Sequence, residues 1–522
     1  MARVNTNNTS LRFCREQTVG VLPVAPAWRI SEFESISNYG ATLTTVVRRP
    51  IGQDRGRKKG TVVDLESAVE FESDFTADSF TDFGEGFMFA EFANVEFDLK
   101  SAGAPPVPTA LGYTIDVAGA TLAAKMVWAA GGAITLVYAK GYATAANNGL
   151  KPLTADVGAA DVNVAVAGNV AEAVPPTSAS LQVAGLRTDD LVLTIDAGLA
   201  TGSLVSAADV TWTVLGIFPG QIIHIGSATA AGVLQNAPTI AAATVSGFCR
   251  VRTVTALTIT FDKPTAGLVA AGAGASPGAQ PIDVMFGRFL RNVPVTANAT
   301  DNRFLERTFQ FECAFPDLGG VGTDEYEYAI GNFANELTIN LALADKVTSS
   351  FGFVGTNSDV ITAVRKLAAA TAVAPLRTVA FNTASGLASL TTDVISAVSD
   401  VCFKSLTVTI NNNVTPEKCL GVLGASFVNS GMFEVNLEGQ MLFTRKEIIN
   451  AIRNNTTVTF QMILRNEDGA IALDMPEATF GGGGREYPMD ASVLVNITGM
   501  SFTSSTFGYD MGVSLFANVP WA

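Results

Sequence analysis

Histidine is almost missing from this 522-residue sequence, and charge of either sign is scarce. A single histidine, His224, sits in the apolar run Gln221-Ile222-Ile223-His224-Ile225. One imidazole among dispersed thiols cannot assemble a zinc site, so His224 is expected to be structural. The five cysteines (Cys14, Cys249, Cys313, Cys402 and Cys419) include no CxxC pair. An odd, scattered set in a long chain implies no disulfide framework, and buried free thiols in a reducing compartment are expected. No stretch approaches the roughly 20 uninterrupted apolar residues of a membrane helix. The polar start MARVNTNNTS lacks an apolar signal core, so a soluble chain without membrane insertion or a cleavable signal is expected. No HExxH, GxSxG or GxxxxGK[ST] pattern occurs. The run Gly481-Gly482-Gly483-Gly484 precedes Arg485-Glu486-Tyr487-Pro488 and a strand rather than opening a helix, so it reads as a flexible hairpin loop. Acidic pairs such as Asp324 with Glu325 name no reaction. The expectation is a non-enzyme with no cofactor and no metal.

What the chain has is apolar surface: 48% of its residues are hydrophobic while only 16% are charged, and its net charge is −15. Such a composition does not stay disordered. It must hide area in cores or between subunits, and subunit burial is the preferred reading. An acidic balance argues against ordinary nucleic-acid binding, which neutralises phosphate with Lys and Arg. It leaves room for a surface past which DNA slides without adhering.

Strand signals dominate. Alternating apolar and polar residues recur at 336–343, 405–411, 432–443, 457–464 and 491–500, punctuated by Gly, Asn and Pro. Helical signals are few, and one or two short helices are expected. One covers 78–89, where Phe80, Phe83, Phe87 and Met88 share a side behind acidic residues. The other covers 446–453, where Ile448, Ile449 and Ile452 do the same. The fold class is mainly β with one or two short α-helices.

Charge thins to roughly one residue in eleven between 101 and 285, against nearly one in five elsewhere. Pro-rich (104–108) and Gly-rich (270–281) stretches flank that region, as linkers would. The expected organisation is one discontinuous domain, 1–103 with 285–522, interrupted by a β-rich insert at 104–284. Weak similarity between 126–166 and 215–262 suggests two related halves within the insert.

The most informative segment is 61–74. Val63, Leu65, Val69 and Phe71 fall on one face of a strand, and Asp64, Glu66, Glu70, Glu72 and Asp74 on the other. Stacked carboxylates repel, so that face must look onto water, either as an ordinary solvated surface or as the wall of a DNA conduit. Just upstream, Arg48, Arg49, Arg55, Arg57, Lys58 and Lys59 lie in a Gly/Pro-punctuated loop. A head-to-tail contact between this loop and acids on another copy fits better than phosphate binding, because charge complementarity sets register. A merely solvated turn is the alternative.

Three segments then resemble the major tail tube proteins of long-tailed, siphovirus-type bacteriophages. From Leu43 to Glu91 come a strand, a basic turn with Asp54-Arg55, a long second strand and a Phe-rich helix. From Asp324 to Gly355, the positions Tyr326, Gly331, Asn335, Leu337, Asp345, Phe351, Phe353 and Gly355 carry a strand-pair pattern. From Ser405 to Leu442 come Asn411-Asn412-Asn413, Gly421-Val422-Leu423-Gly424 and a further strand. The resemblance implies a β-sandwich or half-barrel tube domain with a flanking helix, six copies per ring, inner strands joined into one β-barrel, and stacked rings in a virion tail. It implies a lumen lined by Asp64, Glu66, Glu70 and Glu72, with the basic loop at the ring-to-ring contact. It further implies assembly in the host cytoplasm and a role in genome ejection. The implied partners are further copies of the chain, a tape measure inside the tube, tail terminator and distal tail proteins at its ends, and passing double-stranded DNA. The insert reads as an outward decoration. One set of tube motifs is apparent, which favours six chains over three doubled ones. Two other readings compete: a surface adhesin whose insert binds host glycan, and a hydrolase with a carboxylate pair about 5 to 10 Å apart.

Overall fold

The computed structural model of the protein describes residues 9–517 apart from 25–27, 49–57, 94–106, 110–111, 117–133, 158–160, 166–168, 177–178, 197–200, 227–238, 241–242, 245, 266–267, 269–281, 300–301, 317–322, 367–378 and 393–401. The fold is mainly β, with two α-helices among the described residues. Two large antiparallel sheets carry most of it, one of 16 strands and one of 12.

The larger sheet is built by the outer segments of the chain. Its first strands are β1 (Ser10–Arg15), β2 (Ser35–Arg48) and β3 (Lys58–Asp74), followed by helix α1 (Ala77–Met88). After the insert come β4 (Thr308–Phe315), β5 (Glu325–Ala342) and β6 (Thr348–Gly355). Then follow β7 (Leu387–Thr392), β8 (Phe403–Asn411) and β9 (Glu434–Leu442), and helix α2 (Lys446–Arg453). The chain finishes with β10 (Thr457–Asn466), β11 (Gly469–Glu486), β12 (Leu494–Ser501) and β13 (Gly512–Ala517).

These strands form two units of one design. In the first, β2 pairs with β3, β3 with β6, β6 with β5, β5 with β4 and β4 with β1. In the second, β8 pairs with β9, β9 with β12, β12 with β11, β11 with β10 and β10 with β7. Both place a helix directly after the second strand of the hairpin, and both seat that helix against a special position. A Cβ on Gly86 of α1 would lie 2.7 Å from the Phe309 ring and 3.4 Å from Ala334. A Cβ on Gly483 of β11 would lie 3.5 Å from Ile452 and 3.6 Å from Ile449 of α2. The units are welded by β5 against β8, from Glu336 opposite Asn411 to Ala342 opposite Ser405. This departs from the single set of tube motifs expected. Sheet order repeats here while the side chains that build it do not.

Helix α1 starts where expected for physical reasons. Thr76 Oγ1 accepts from Ser79 N at 3.0 Å and Ser79 Oγ accepts from Thr76 N at 3.0 Å, a capping box. Its end is set by Phe89, in the left-handed region at φ 44°. Phe80, Phe83 and Phe87 are buried, and Phe83 meets Phe351 of β6 with ring centroids 5.2 Å apart. The core continues through Leu337, Val408, Leu437, Phe460, Leu473 and Val513, so both units share one interior. Unlike the expected hairpin loop, Gly481–Gly484 lies inside β11. Gly482 and Gly483 have φ of 81° and 83°, and a bulge there matches Ile497 and Asn496 of β12.

The 12-strand sheet spans Val107 to Phe286, and its last strand, Ile282–Phe286, crosses the boundary expected at 284. Its apolar face meets the larger sheet in a shared layer of Ile222, Phe248 and Met285 with Ile463, Ala472 and Phe516. Beside that layer Arg250 bonds Asp262 through two nitrogens, at 2.8 and 3.0 Å, and reaches Asp474 of β11 at 3.2 Å. Tyr509 donates to the same Asp474 at 3.2 Å.

Candidate functional site

Eight strands run side by side as one ribbon, in the order β2-β3-β6-β5-β8-β9-β12-β11. One of its faces is the core face. On the other, side chains alternate outward with period two. Along β3, Leu65, Val69 and Phe71 are buried while Glu66, Glu70 and Glu72 are exposed and Asp64 and Asp74 half-buried. Val63 breaks the expected pattern. It is 51% exposed, because the hairpin has run beyond the core by that point.

Strand pairing carries the carboxylate rows across the whole ribbon. Glu72 stands opposite Ser350, which stands opposite Thr338, then Thr409, then Asn436, then Met500. One row along, Glu70 and Glu336 flank Gly352, two strand spacings or about 10 Å apart. Glu336 then faces Asn411, and Asn411 faces Glu434. Asp74 leads through Thr348, Asn340 and Thr407 to Glu438 and Thr498. The neutral positions are tied laterally. Thr407 donates to Asn340 Oδ1 at 3.1 Å, Asn411 to Glu336 Oε2 at 3.3 Å and Gln440 to Asn496 Oδ1 at 3.1 Å. The result is a broad hydroxyl, amide and carboxylate surface.

Among the described residues two cations touch this acid set. Lys418 Nζ lies 2.6 Å from Asp64 Oδ2 and 3.2 Å from Glu66 Oε1. Its hydrogen bond holds the Asp64 carboxyl below the usual aspartate value. Lys346 pairs with Asp74 at 2.7 Å and with Glu34. Glu72 accepts from the Ser35 hydroxyl at 3.1 Å. Among the described residues no base lies within ion-pair distance of Glu70 or Glu72. The four carboxylates expected to act alike therefore differ: the Asp64 and Glu66 end is partly neutralised, the Glu70 and Glu72 end is not.

Arg48 and Lys58 face each other where the β2–β3 hairpin leaves the described residues, and Lys59 beside them is exposed. Arg49, Arg55 and Arg57 lie outside the described residues. From Lys58 to Glu72 the strand extends about 46 Å, so base and acid occupy opposite ends of one hairpin.

Glu336, Glu434, Glu438 and Lys418 were not singled out from sequence. The first three sit at polar positions of strands that alternation does reveal. Lys418 has no local signal, since its partners are some 350 residues away.

Among the described residues no group of His, Cys, Asp and Glu is arranged to hold a metal, and no helix is long and apolar enough to cross a membrane. His224 is buried, with Ser246 Oγ 3.3 Å from its Nε2. Cys14, Cys249 and Cys313 are buried cysteines; Cys402 and Cys419 are exposed ones. A family model described as phage tail tube protein matches residues 6–501. No curated protein matches the chain.

Proposed function

Because the chain belongs to the phage tail tube protein family over nearly its whole length, we propose that its eight-stranded polar face lines the bore of a tube of stacked rings through which the viral genome passes. The observation that carries this reading is the continuity of that face. It runs unbroken from Asp74 on β3 through Thr348, Asn340, Thr407 and Glu438 to Thr498 on β12, with carboxylates at intervals and hydroxyls and an amide between. A duplex carries one negative charge per about 1.7 Å of its axis. Carboxylates repel it, and screening confines that repulsion to about 8 to 10 Å of the wall. DNA is thus kept off the surface without being impeded in the centre. The Thr and Asn positions hold water and supply no cation for a phosphate to grip.

In the same reading the sheet of Val107–Phe286 decorates the outside. Its apolar layer packs on Ile463, Ala472 and Phe516, away from the polar face. The basic residues between and beside β2 and β3 in the chain, Arg48, Arg49, Arg55, Arg57, Lys58 and Lys59, would serve the contact with the neighbouring ring, where their charge sets register against acids. Tape measure protein inside the tube, and terminator and distal tail proteins at its ends, complete the list of partners in the virion.

Electron microscopy of the purified full chain tests this. Hollow tubes or rings are expected. A protein that stays monomeric at high concentration and across salt conditions would sink the reading.

A further inference from the structure

We propose that Leu420, at the apex of a turn on one end of the polar ribbon, is a knob that enters an apolar cleft at the other end of a second copy of this chain, in the next ring. This rests on the tube reading above and deepens it by naming two surfaces that meet between copies.

The knob is held in place by the rest of its loop. Residues 412–433 connect β8 to β9. Within them Thr415–Glu417 pairs with Phe427–Asn429, and Val414 and Val428 pack with Phe89 and Phe333. Lys418 pins the far side through Asp64 and Glu66. The chain then turns. Val422 N donates to Cys419 O at 3.3 Å, and Gly421, at φ 87°, takes the third position, where a type II turn needs positive φ. Leu420 is the second residue of that turn and points into solvent. Among the described residues no large apolar side chain is more exposed, at 105%, and Val422 and Leu423 beside it are half-exposed. A loop pinned this way loses little freedom when it docks.

The cleft lies where β5 ends and β8 begins. Leu341, Leu343, Leu387, Leu390, Phe403 and Met462 line it, and its volume is about 70 Å³. Clefts for small-molecule ligands run to about 300–1,000 Å³. This one has room for a side chain and not for a free ligand. Leu343, one of its walls, is 59% exposed.

Strand β8 separates the two features. It leaves the cleft at Ser405, opposite Ala342, and ends at Asn411, from which the knob's loop departs. That interval is about 20 Å of strand. Knob and cleft therefore cannot meet within one chain. A knob at one end and a preformed pocket at the other make a heterologous contact, which repeats without closing and builds a filament.

Two cysteines mark the same two ends. Cys419 precedes Leu420 and Cys402 precedes Phe403 in the chain, and both are exposed while the other three are buried. Docking of the knob brings Cys419 of one ring near Cys402 of the next.

The test uses assembled full-length protein and its own cysteines. A short bis-maleimide is expected to join Cys402 to Cys419 between chains, in a ladder that runs past the number of chains in one ring. Leu420→Asp and Leu343→Asp should each leave single rings but shorten tubes several-fold. The loss should be alike at low and high salt, since an apolar contact is not screened. Both residues are exposed in the single chain, so its melting temperature should not change. A ladder that stops at one ring, no Cys402 to Cys419 linkage, or tubes of normal length from Leu420→Asp each overturn the proposal while leaving the tube reading intact. A wild-type chain that forms neither rings nor tubes removes that reading, and this inference with it.

Discussion

Lys418 and Asp64 stand 2.6 Å apart although 354 residues separate them in the chain. Asp64 and Glu66 therefore carry a cation of their own, while among the described residues Glu70 and Glu72 have none within ion-pair distance. Replacing Lys418 with Ala should let the Asp64 carboxyl rise toward the ordinary aspartate value near 3.9. The sign follows from linkage. A depressed carboxylate pKa favours the folded state above the unfolded value, and that contribution fades as pH falls through the folded one. A carboxyl carbon NMR titration of wild type and Lys418→Ala measures the shift directly. Identical curves would remove Lys418 as its cause.

Genome passage should depend on which end of the row is altered. Glu70→Lys with Glu72→Lys places cations where, among the described residues, no basic side chain is paired, and release of DNA from triggered particles should slow several-fold at low salt. Asp64→Lys with Glu66→Lys acts where Lys418 already offsets charge, so its effect should be smaller. Assembly should survive both, since none of these side chains enters the core. The slowing should vanish at high salt, as expected of phosphate contacts that release counterions. Equal ejection rates in all variants would count against a lumen position.

Charge reversal at the basic tip gives a separate outcome. Glu at Lys58 and Lys59, with the same change at Arg55 and Arg57, should shorten tubes while leaving single rings intact. The deficit should be greatest at low ionic strength, where screening is least. Tube length by microscopy against salt concentration reads it, and loss of rings instead of tubes would move the tip to another contact.

The insert is mounted through a buried charge. Arg250 is 3% exposed and Asp474 1%. Asp474→Ala leaves Arg250 with one carboxylate and Tyr509 without its acceptor, and should cost about 3–5 kcal/mol. Arg250→Leu combined with Asp262→Leu and Asp474→Leu should cost less than Asp474→Ala, because no charge is then left buried alone. Chemical denaturation of the three proteins compares them.

Burial lowers the pKa of His224 to about 3 from the ordinary 6.5. Below pH 6.5 the unfolded chain takes up a proton that the folded chain refuses, so stability falls as pH drops from 6.5 toward 3. The slope approaches about 1.4 kcal/mol per pH unit for one proton. Above pH 6.5 the group contributes no pH dependence. His224→Gln should remove this slope over pH 6.5 to 5, where few carboxylates titrate, and melting scans across that range measure it.

Much of the first unit was readable from residues alone. Alternation along 64–74 placed Leu65, Val69 and Phe71 inward and the acids outward, because a strand's side-chain period is set by its backbone. The phenylalanines at 80, 83 and 87 placed a helix one residue from where it lies, because Thr76 and Ser79 cap it locally. Gly481–Gly484 misled: four glycines look like a loop, and only the bulge against Ile497 and the approach of Ile449 and Ile452 make them a strand.

The sequence by itself determined the strand-rich class, the two helices and the alternating acid row, since each depends on neighbours a few residues apart. Tertiary structure alone decided that Lys418 quiets one end of that row, that Arg250 meets Asp474, and that two units of one strand order stand edge to edge. Those facts depend on which distant strands pair. Backbone hydrogen bonding is alike for every strand, so the choice of partner is made by how the whole core fills, and no local pattern records it.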